Sequence, residues 1–343
     1  MLSQNHSHIS AVELFAGAGG LALGLEQAGF QMKALVERDK DAAATLRKNR
    51  PGWNVIQEDI VKVAEQGIRS FLPADTEHIY LVSGGYPCQS FSYAGKRLGL
   101  ADVRGTMFYY FASIIHELKP EVFLAENVRG LFSHNNGKTL QTMLDVYESI
   151  GYLTQVILVN ALDYGVPQKR QRVLIVGIRK DVHNLFHLPP KQAHLTLRDA
   201  LRDVPPSEGT SYPKKKADVL KLVPPGGCWR SLPEDIAKSY MGKSYTSDGG
   251  RTGMARRLSW DEPSLTLTCS PSQKQTERCH PEETRPLTVR EYARIQTFPD
   301  DWTFCGSLNA KYRQIGNAVP VNLAKAIGMS IMDILRPEAV SGS

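Results

Sequence analysis

The sequence lacks the features that are typical of disulfide-rich, zinc-binding, membrane-spanning and repeat proteins. The five cysteines are odd in number and include no Cys-x-x-Cys pair, which argues against a disulfide framework and a zinc site. No apolar run approaches the roughly 20 residues of a membrane-spanning helix. The N-terminus carries no basic stretch followed by an apolar core, and no internal repeat or low-complexity tract is visible. We therefore expect a cytoplasmic protein in a reducing compartment, with no metal site and no membrane partner.

The charge of the chain is modest, but its distribution is uneven. The net charge is +6 with a pI of about 9.0, which alone is weak support for a nucleic-acid partner. Basic clusters fall in the middle of the chain, at Lys169-Arg170-Gln171-Arg172, at Lys214-Lys215-Lys216 and at Arg256-Arg257. Such clusters are suited to a phosphate backbone. For the three consecutive lysines, a solvated loop is an equally good interpretation.

The first half of the chain alternates strand-like with helix-like runs. The pattern predicts strands at 12–15, 32–36, 54–56, 79–82, 122–126, 152–159 and 173–176, and helices at 21–28, 41–49, 108–118 and 140–149. This alternation predicts an α/β fold with a mostly parallel sheet covered by helices on both faces. Catalytic loops are then expected at the carboxyl ends of the strands.

The composition changes near residue 187, where a segment rich in Pro, Gly, Ser and Lys begins. Scattered apolar residues such as Trp229, Tyr240 and Trp260 favour a small irregular domain over disorder. Regular helices are predicted again at 288–296 and 321–335. We therefore expect a first domain at 1–186, an irregular domain with its hinge at 187–304, and a C-terminal segment at 305–343 that returns to the first domain.

A nucleotide-like pocket is predicted at the first three strand ends. The segment Gly17-Ala18-Gly19-Gly20-Leu21-Ala22 fits the pattern G-x-G-x-x-G/A, which brings backbone close to a ligand. Glu37 follows the second strand, where a carboxylate can accept hydrogen bonds from ribose hydroxyls. Asp59 follows the third strand, where an acid can meet an adenine amino group. The pocket is suited to an adenosyl group, and by itself it does not separate S-adenosylmethionine from NAD.

Two further strand ends carry a cysteine and a glutamate. Cys88 follows Gly85-Tyr86-Pro87, and Glu126 follows the apolar run Val122-Phe123-Leu124-Ala125. A lone cysteine is most often inert and buried, but the rigid proline and the polar residues after Cys88 favour an exposed, fixed thiol. A thiol with a carboxyl group can attack an electron-poor ring and hold a proton on its nitrogen. This pair favours a methyltransferase acting on cytosine over a hydride-transfer enzyme.

With these residues in place, the chain resembles the DNA cytosine-5 methyltransferases of bacterial restriction-modification systems. Segments typical of that family occur in its order, apart from the middle region. They are Phe15-Ala16-Gly17-Ala18-Gly19-Gly20, Glu37, Asp59-Ile60, Pro87-Cys88-Gln89, Glu126-Asn127-Val128, Gln168-Lys169-Arg170-Gln171-Arg172, Arg285-Pro286-Leu287-Thr288-Val289-Arg290-Glu291 and Gln314-Ile315-Gly316-Asn317-Ala318-Val319-Pro320. Glu58 departs from the family, whose members often have Gly before the acid at position 59.

The resemblance implies an S-adenosylmethionine-dependent methyltransferase fold, which is Rossmann-like, and a role for each matched residue. Cys88 would add to C6 of cytosine and Glu126 would hold a proton at N3. Arg172, helped by Arg170, would bind the cytosine O2, and Asn127 would steady the loop near Glu126; a phosphate contact and a strand-end cap are the respective alternatives. The cofactor S-adenosylmethionine would be bound by a set drawn from both ends of the chain: Phe15, Gly17, Gly19, Gly20, Glu37, Asp59, Ile60, Pro87 and Asn317.

The resemblance also implies that the partner is double-stranded DNA and that the target base is flipped out of the duplex. Residues 90–106 are a candidate mobile lid. The irregular domain corresponds to the family's target-recognition domain, with candidate DNA contacts at Thr266, Leu267, Gln273, Lys274, Gln275 and Arg278. A cognate restriction endonuclease encoded nearby and a monomeric enzyme are further expectations.

Three alternatives stay open at this point. A tRNA cytosine-5 methyltransferase would keep the chemistry and change the substrate. A non-catalytic DNA-binding protein could retain the fold, although the intact Cys88 and Glu126 disfavour it. A nicotinamide-dependent oxidoreductase predicts NAD binding in place of S-adenosylmethionine.

Overall fold

The computed structural model describes residues 9–87, 100–246 and 252–336. The helices and strands, numbered in chain order, are β1 (Ser10–Leu14), α1 (Gly20–Ala28), β2 (Gln31–Val36), α2 (Lys40–Asn49), β3 (Val55–Ile56), α3 (Ile60–Gln66), β4 (Leu81–Gly84), α4 (Met107–Leu118), β5 (Val122–Val128), α5 (Lys138–Ser149), β6 (Tyr152–Asn160), β7 (Gln168–Lys169), β8 (Gln171–Arg179), α6 (Leu197–Leu201), α7 (Lys214–Leu220), α8 (Glu234–Met241), β9 (Ser264–Leu265), α9 (Val289–Ile295), α10 (Leu308–Asn317) and α11 (Val321–Leu335).

The chain forms two compact units. Unit 1 comprises Met1–Asn160, Gln171–Lys191 and Val321–Ser343, and unit 2 comprises Ala161–Arg170 and Gln192–Pro320. The sequence-based boundaries at 187 and 305 differ from this division. Within unit 2, β7 pairs with β9, and Tyr292 of α9 packs edge-on against Tyr312 of α10 at a centroid distance of 5.2 Å. These long-range contacts cannot be inferred from a change in composition.

Unit 1 is built on a seven-stranded sheet in the order β3-β2-β1-β4-β5-β8-β6. The first five strands in this order are parallel, and β8 runs antiparallel to both of its neighbours. The predicted α/β class with a mostly parallel sheet is therefore confirmed. Leu14 is aligned with Val36 and with Gly84, and Gly84 is aligned with Ala125. The residues that follow these aligned positions consequently lie along one edge of the sheet.

The core of unit 1 follows from the apolar character of its strands and helices. Strand β1 is buried along its whole length, and α4 contributes the buried residues Phe108 and Phe111. Helices α1 and α11 approach so closely that a Cβ on Gly24 would lie 2.4 Å from that of Ala324. A larger side chain at position 24 is therefore excluded unless the two helices separate.

Unit 2 has little regular structure, as the sequence indicates, yet it contains a hydrophobic core. That core includes Leu220, Val223, Leu232 and Cys279. The loop interpretation of Lys214-Lys215-Lys216 is wrong, because these residues open helix α7. The helix forms because Leu220 in its last turn is completely buried in this core.

Within residues 9–87, 100–246 and 252–336, one helical stretch is long and apolar enough to cross a membrane by length and composition. It runs over Leu308–Leu335, and 67% of its most apolar window is buried inside the protein. The stretch consists of α10 and α11, which are separated at Pro320. A buried, interrupted segment of this kind is typical of core helices.

Candidate active site

The predicted site residues of unit 1 lie at the aligned strand ends. Phe15, Glu37, Gly85 and Glu126 each come directly after a position that is paired with its neighbour in the parallel sheet. Because parallel strands end at the same edge, the register places these four residues in one row. This row is the feature on which the site is built.

The glycine-rich turn between β1 and α1 has a left-handed backbone. Phe15, Gly17 and Gly19 have φ angles of 59°, 55° and 85°. Glycine adopts this conformation without steric cost, whereas a bulky residue such as Phe15 does so only when its surroundings fix it. The Ala16 amide donates to the Val36 carbonyl at 3.1 Å, which ties the turn to β2. The turn therefore lies beside the end of β2, next to Glu37. Gly20 follows the turn as the first residue of α1.

Glu37 is held by the backbone on both sides. One carboxylate oxygen accepts a hydrogen bond from the Gly17 amide at 2.7 Å, and the other accepts from the Asp39 amide at 2.6 Å. Burial raises the pKa of Glu37, and these two hydrogen bonds offset part of that effect. A fixed carboxylate with unused lone pairs is suited to accept hydroxyl groups from a ribose.

Asp59 caps the N-terminus of helix α3 and contacts Arg38, a residue that the sequence analysis did not single out. Its side chain accepts from the Val61 amide at 3.0 Å and from the Arg38 guanidinium at 2.9 Å. These two hydrogen bonds, the backbone one first, lower the pKa of Asp59. Arg38 is adjacent to Glu37 in the chain, and that adjacency was the only available signal for it.

These residues line an open cleft at the edge of the sheet in unit 1. Its walls include five of the predicted cofactor residues: Phe15, Glu37, Asp59, Ile60 and Pro87. Four further lining residues were missed by the sequence analysis: Val36, Arg38, Glu58 and Met107. Three of them neighbour a predicted residue in the chain, whereas nothing in the sequence points to Met107.

Glu126 and Arg172 form an ion pair across neighbouring strands. The Arg172 Nε lies 2.6 Å from a Glu126 carboxylate oxygen, and both side chains are only 12–13% exposed. The antiparallel pairing of β5 with β8 brings the two residues together, because Val128 is aligned with Arg172. Gly85 is adjacent, since a Cβ at that position would lie 3.0 Å from the other Glu126 oxygen. The carboxyl group therefore lies beside the segment that leads to Cys88.

Asn127 connects the strand of Glu126 to that same segment. Its buried side-chain amide donates to the Tyr86 carbonyl at 3.1 Å. Tyr86 is fixed in turn by its hydroxyl, which lies 3.2 Å from the Tyr147 hydroxyl, and by its ring, which packs 5.0 Å from that of Phe111. The backbone just before Pro87 is thus held from two sides. Tyr86 is a further residue to which the sequence analysis assigned no role.

Two of the predictions fall on residues that the structure does not describe. Cys88 lies outside the described residues, as does the part of the candidate lid at 90–99. The remainder of the lid is described: a short 3-10 turn at Leu100–Val103 and then Thr106, whose hydroxyl accepts from the Tyr109 amide and starts α4.

Arg170 does not accompany Arg172 in unit 1. It belongs to unit 2, where it is buried, and its guanidinium donates to the carbonyls of Leu267, Gly316 and Ala318 at 3.0–3.2 Å. Arg170 lies just before β8, so the regular alternation of side chains along a strand does not determine its environment. Its contacts are those of a structural residue. Asn317 is also in unit 2, where its side-chain oxygen accepts from the Cys269 thiol at 3.0 Å.

The six candidate DNA contacts of unit 2 separate by exposure. Gln273, Lys274 and Gln275 are exposed. Leu267 and Arg278 are buried, and Arg278 donates to the Thr266 carbonyl at 2.6 Å. The Thr266 hydroxyl donates to the Lys169 carbonyl at 2.6 Å. Buried side chains cannot reach a base edge, so the prediction for Leu267 and Arg278 is corrected: in this conformation they are interior residues.

Known proteins are similar to this chain over nearly its whole length. Residues 9–333 match the family of C-5 cytosine-specific DNA methylases. The chain is 56% identical to the Type II methyltransferase M.Eco47II of Escherichia coli over 95% of its own length and 79% of the relative. It is 58% identical to the Type II methyltransferase M.Sau96I of Staphylococcus aureus over 94% of its own length and 75% of the relative.

A solved structure agrees with these relatives. A DNA modification methyltransferase encoded within an Escherichia coli prophage superposes with a TM-score of 0.69 at 25% identity, covering 95% of this chain and 99% of that one. The tRNA alternative has less support than DNA, and the family as a class depends on S-adenosylmethionine. The chain therefore belongs to the C-5 cytosine-specific DNA methylases and is an enzyme that methylates cytosine at C5 within a specific DNA sequence.

Proposed function

We propose that this enzyme uses Cys88 as its nucleophile and binds S-adenosylmethionine in the cleft of unit 1. The observation that carries the proposal is the Glu126–Arg172 ion pair beside Gly85, three residues before Cys88. A carboxyl group and a guanidinium placed next to the nucleophile's segment match the polar edge of a cytosine ring.

The residues of the cleft fit the cofactor. Glu37 offers a carboxylate to the ribose hydroxyls, and Asp59 offers one to the adenine amino group, in exchange for its contact with Arg38. Ile60 and Phe15 supply apolar surface, and the turn at Gly17, Gly19 and Gly20 admits a close backbone approach. When bound, S-adenosylmethionine supplies a methyl group on a positively charged sulfur. The role of Asn317 as a further cofactor contact rests on its place in the family motif.

The chemistry of the protein residues begins with addition to the base. The Cys88 thiolate forms a bond to C6, and the ring electrons move to C5, which becomes nucleophilic. Glu126 holds a proton at N3, so that the ring does not accumulate negative charge, and Arg172 binds O2. After methylation a base removes the proton from C5, the bond from sulfur to C6 breaks, and the thiolate is restored.

A thiol cannot reach C6 of a stacked base. The target cytosine must therefore leave the double helix, at a cost of a few kcal/mol, and residues 90–106 would cover it. Asn127 positions the segment that precedes the nucleophile by holding the Tyr86 carbonyl. The proposed substrate is accordingly duplex DNA.

Unit 2 is the proposed recognition domain. Its exposed residues Gln273, Lys274 and Gln275 carry amide and ammonium groups, which are suited to base edges in the major groove. The relatives' designation as Type II methyltransferases supports a cognate restriction endonuclease encoded nearby. A monomer in the cytoplasm completes the proposal.

Covalent trapping tests the nucleophile directly. Duplex DNA with 5-fluorocytosine lacks the C5 proton whose removal releases the enzyme, so we expect a stable adduct that maps to Cys88. Cys88→Ala should form no adduct, lose turnover and still bind DNA. Bisulfite sequencing of DNA from cells expressing the enzyme identifies the site. Turnover by Cys88→Ala at the wild-type rate, or an adduct at another residue, would contradict the proposal.

A further inference from the structure

The three exposed candidate DNA contacts, Gln273, Lys274 and Gln275, lie on a loop that is closed by its own backbone. The Arg278 amide donates to the Pro271 carbonyl at 3.1 Å, and the Thr276 amide donates to the Gln273 carbonyl at 3.0 Å. The side chains of Gln273 and Gln275 face solvent between these two closures. We call residues 271–278 the readout loop.

The readout loop contains a completely buried carboxylate, that of Glu277. Glu277 is 0% exposed, and its side chain accepts hydrogen bonds from the Tyr240 hydroxyl at 2.9 Å and from the Ala255 amide. It also forms an ion pair with Lys216 of helix α7. Burial raises the pKa of Glu277, and the contact with Lys216 opposes that rise. Such a carboxylate is costly to keep in the interior without its cation.

Lys216 binds the readout loop at both ends. Besides its ion pair with Glu277, its ammonium group donates to the Ser272 carbonyl at 2.6 Å and lies 5.0 Å from the centre of the Tyr212 ring. Ser272 precedes the exposed residues and Glu277 follows them. Lys274 is the one exposed cation of the loop, and it lies 5.1 Å from the ring of Tyr240, which itself contacts Glu277. One lysine from outside the loop thus fixes the span that carries the three exposed side chains.

Stability alone is a poor explanation for this ion pair. Replacing a buried ion pair by apolar residues of similar volume is often neutral or stabilising, whereas buried ion pairs can fix one conformation among several. A loop that reads bases needs its amide groups held within narrow limits, since a displaced donor or acceptor loses its discrimination.

We propose that the Lys216–Glu277 ion pair is a positioning device that fixes the readout loop for the recognition of base edges by Gln273 and Gln275. This inference rests on the proposed role of unit 2 in recognition. Lys216 is then a specificity-determining residue although it does not contact DNA, and its neighbours Lys214 and Lys215 are not.

The three consecutive lysines provide matched variants. Lys216→Met and Lys215→Met each remove one positive charge from the same helical turn, but only the first breaks the ion pair, because Lys215 is exposed. The assay measures kcat and KM on a duplex with the site found by bisulfite sequencing and on duplexes with one base pair substituted. We expect Lys216→Met to lose about tenfold in discrimination at one or more positions, with kcat on saturating cognate DNA within about twofold of wild type. Lys215→Met should keep its discrimination.

A second variant guards against misfolding. Lys216→Met combined with Glu277→Gln removes both charges of the ion pair, while the amide oxygen at position 277 can still accept from Tyr240 and Ala255. This double variant should fold, as judged by thermal unfolding and by binding of S-adenosylhomocysteine. A purely stabilising role predicts that this double variant discriminates as wild type does. The positioning role predicts a folded enzyme that has lost discrimination.

The outcomes separate the two proposals. If Lys216→Met and the double variant both discriminate like wild type while Gln273→Ala or Gln275→Ala does not, the positioning role is wrong and the readout role stands. If neither glutamine variant changes discrimination, the readout role under "Proposed function" is wrong and the inference fails with it. Loss at the same base pair in Lys216→Met and in one glutamine variant supports both.

Discussion

The two units of this enzyme are held together in different ways. In unit 1, long strands and helices bury an apolar core, and the functional side chains stand at the strand ends. In the described part of unit 2 the two strands have two residues each, and several charged side chains are buried among its apolar residues. Arg257 illustrates the second mode: it donates hydrogen bonds to the carbonyls of Val223, Leu220, His280 and Glu283 and to the Thr284 hydroxyl, at 2.7–3.2 Å.

This difference predicts which substitutions alter the site and which alter folding. In unit 1 the sheet supports the site, so a polar site residue can change with little effect on folding. In unit 2 buried guanidinium groups satisfy carbonyls that a regular sheet would pair, so the same kind of change removes structure. The next three predictions test this contrast, from the largest expected effect to the smallest.

Glu126→Gln should remove activity and leave unit 1 folded. The amide cannot hold an acidic proton at N3, so we expect kcat to fall by roughly 10²- to 10⁴-fold. Methyl transfer from labelled S-adenosylmethionine to duplex DNA measures the loss. Glu26→Gln is the control, because it breaks another ion pair of unit 1, that with Arg50 at 2.8 Å, away from the cleft. A kcat unchanged by Glu126→Gln would contradict the assigned role.

Arg257→Met should unfold unit 2 while unit 1 keeps its cofactor. Loss of the guanidinium leaves several buried carbonyls without donors, at a cost of about 3–5 kcal/mol in the free energy of unfolding. Limited proteolysis should cut within 192–320, and calorimetry should still detect S-adenosylhomocysteine binding, weakened at most by the loss of the proposed Asn317 contact. The exposed Arg230, substituted in the same way, is the control. Resistance to proteolysis equal to wild type would show that the contrast between the units is false.

Glu13 is a buried acidic residue of unit 1, and Glu13→Gln tests how its carboxyl group changes stability with pH. Burial raises the pKa of Glu13 well above its usual value, and Glu37 raises it further. A carboxyl group raised by folding contributes stability fully below its unfolded pKa, and that contribution is lost as the pH rises through the folded value.

The variant should therefore lose less stability than wild type as the pH rises from about 4.5, by up to about 1.4 kcal/mol per pH unit within the titration range. Urea unfolding followed by fluorescence between pH 4.5 and 8 gives the slope. Glu65→Gln, at an exposed position, is the control. Identical slopes for wild type and Glu13→Gln would refute the prediction.

Strands and helices that follow from the local sequence pattern could be predicted, whereas contacts between residues distant in the chain could not. Strand and helix positions in unit 1 agree with the structure within a few residues, and helix Val321–Leu335 has the predicted bounds. Glu126 and Arg172 were both named from sequence, yet their contact depends on the register of β5 against β8. Arg170 was predicted to assist Arg172 from its place in the family motif, whereas its carbonyl partners come from residues about 100 to 150 positions away.

The sequence by itself determined the alternation of strands and helices, the glycine turn with Glu37 and Asp59, and the order of motifs that identifies the family, because these depend on nearest neighbours and on chemistry that few residue types can perform. Only the tertiary structure decided that Arg38 reaches Asp59, that Tyr86 anchors the segment before Cys88, and that Lys216 turns inward to Glu277 while Lys215 stays in solvent. The physical reason is that burial and pairing of a charge are set by segments distant in the chain, and no local pattern encodes them.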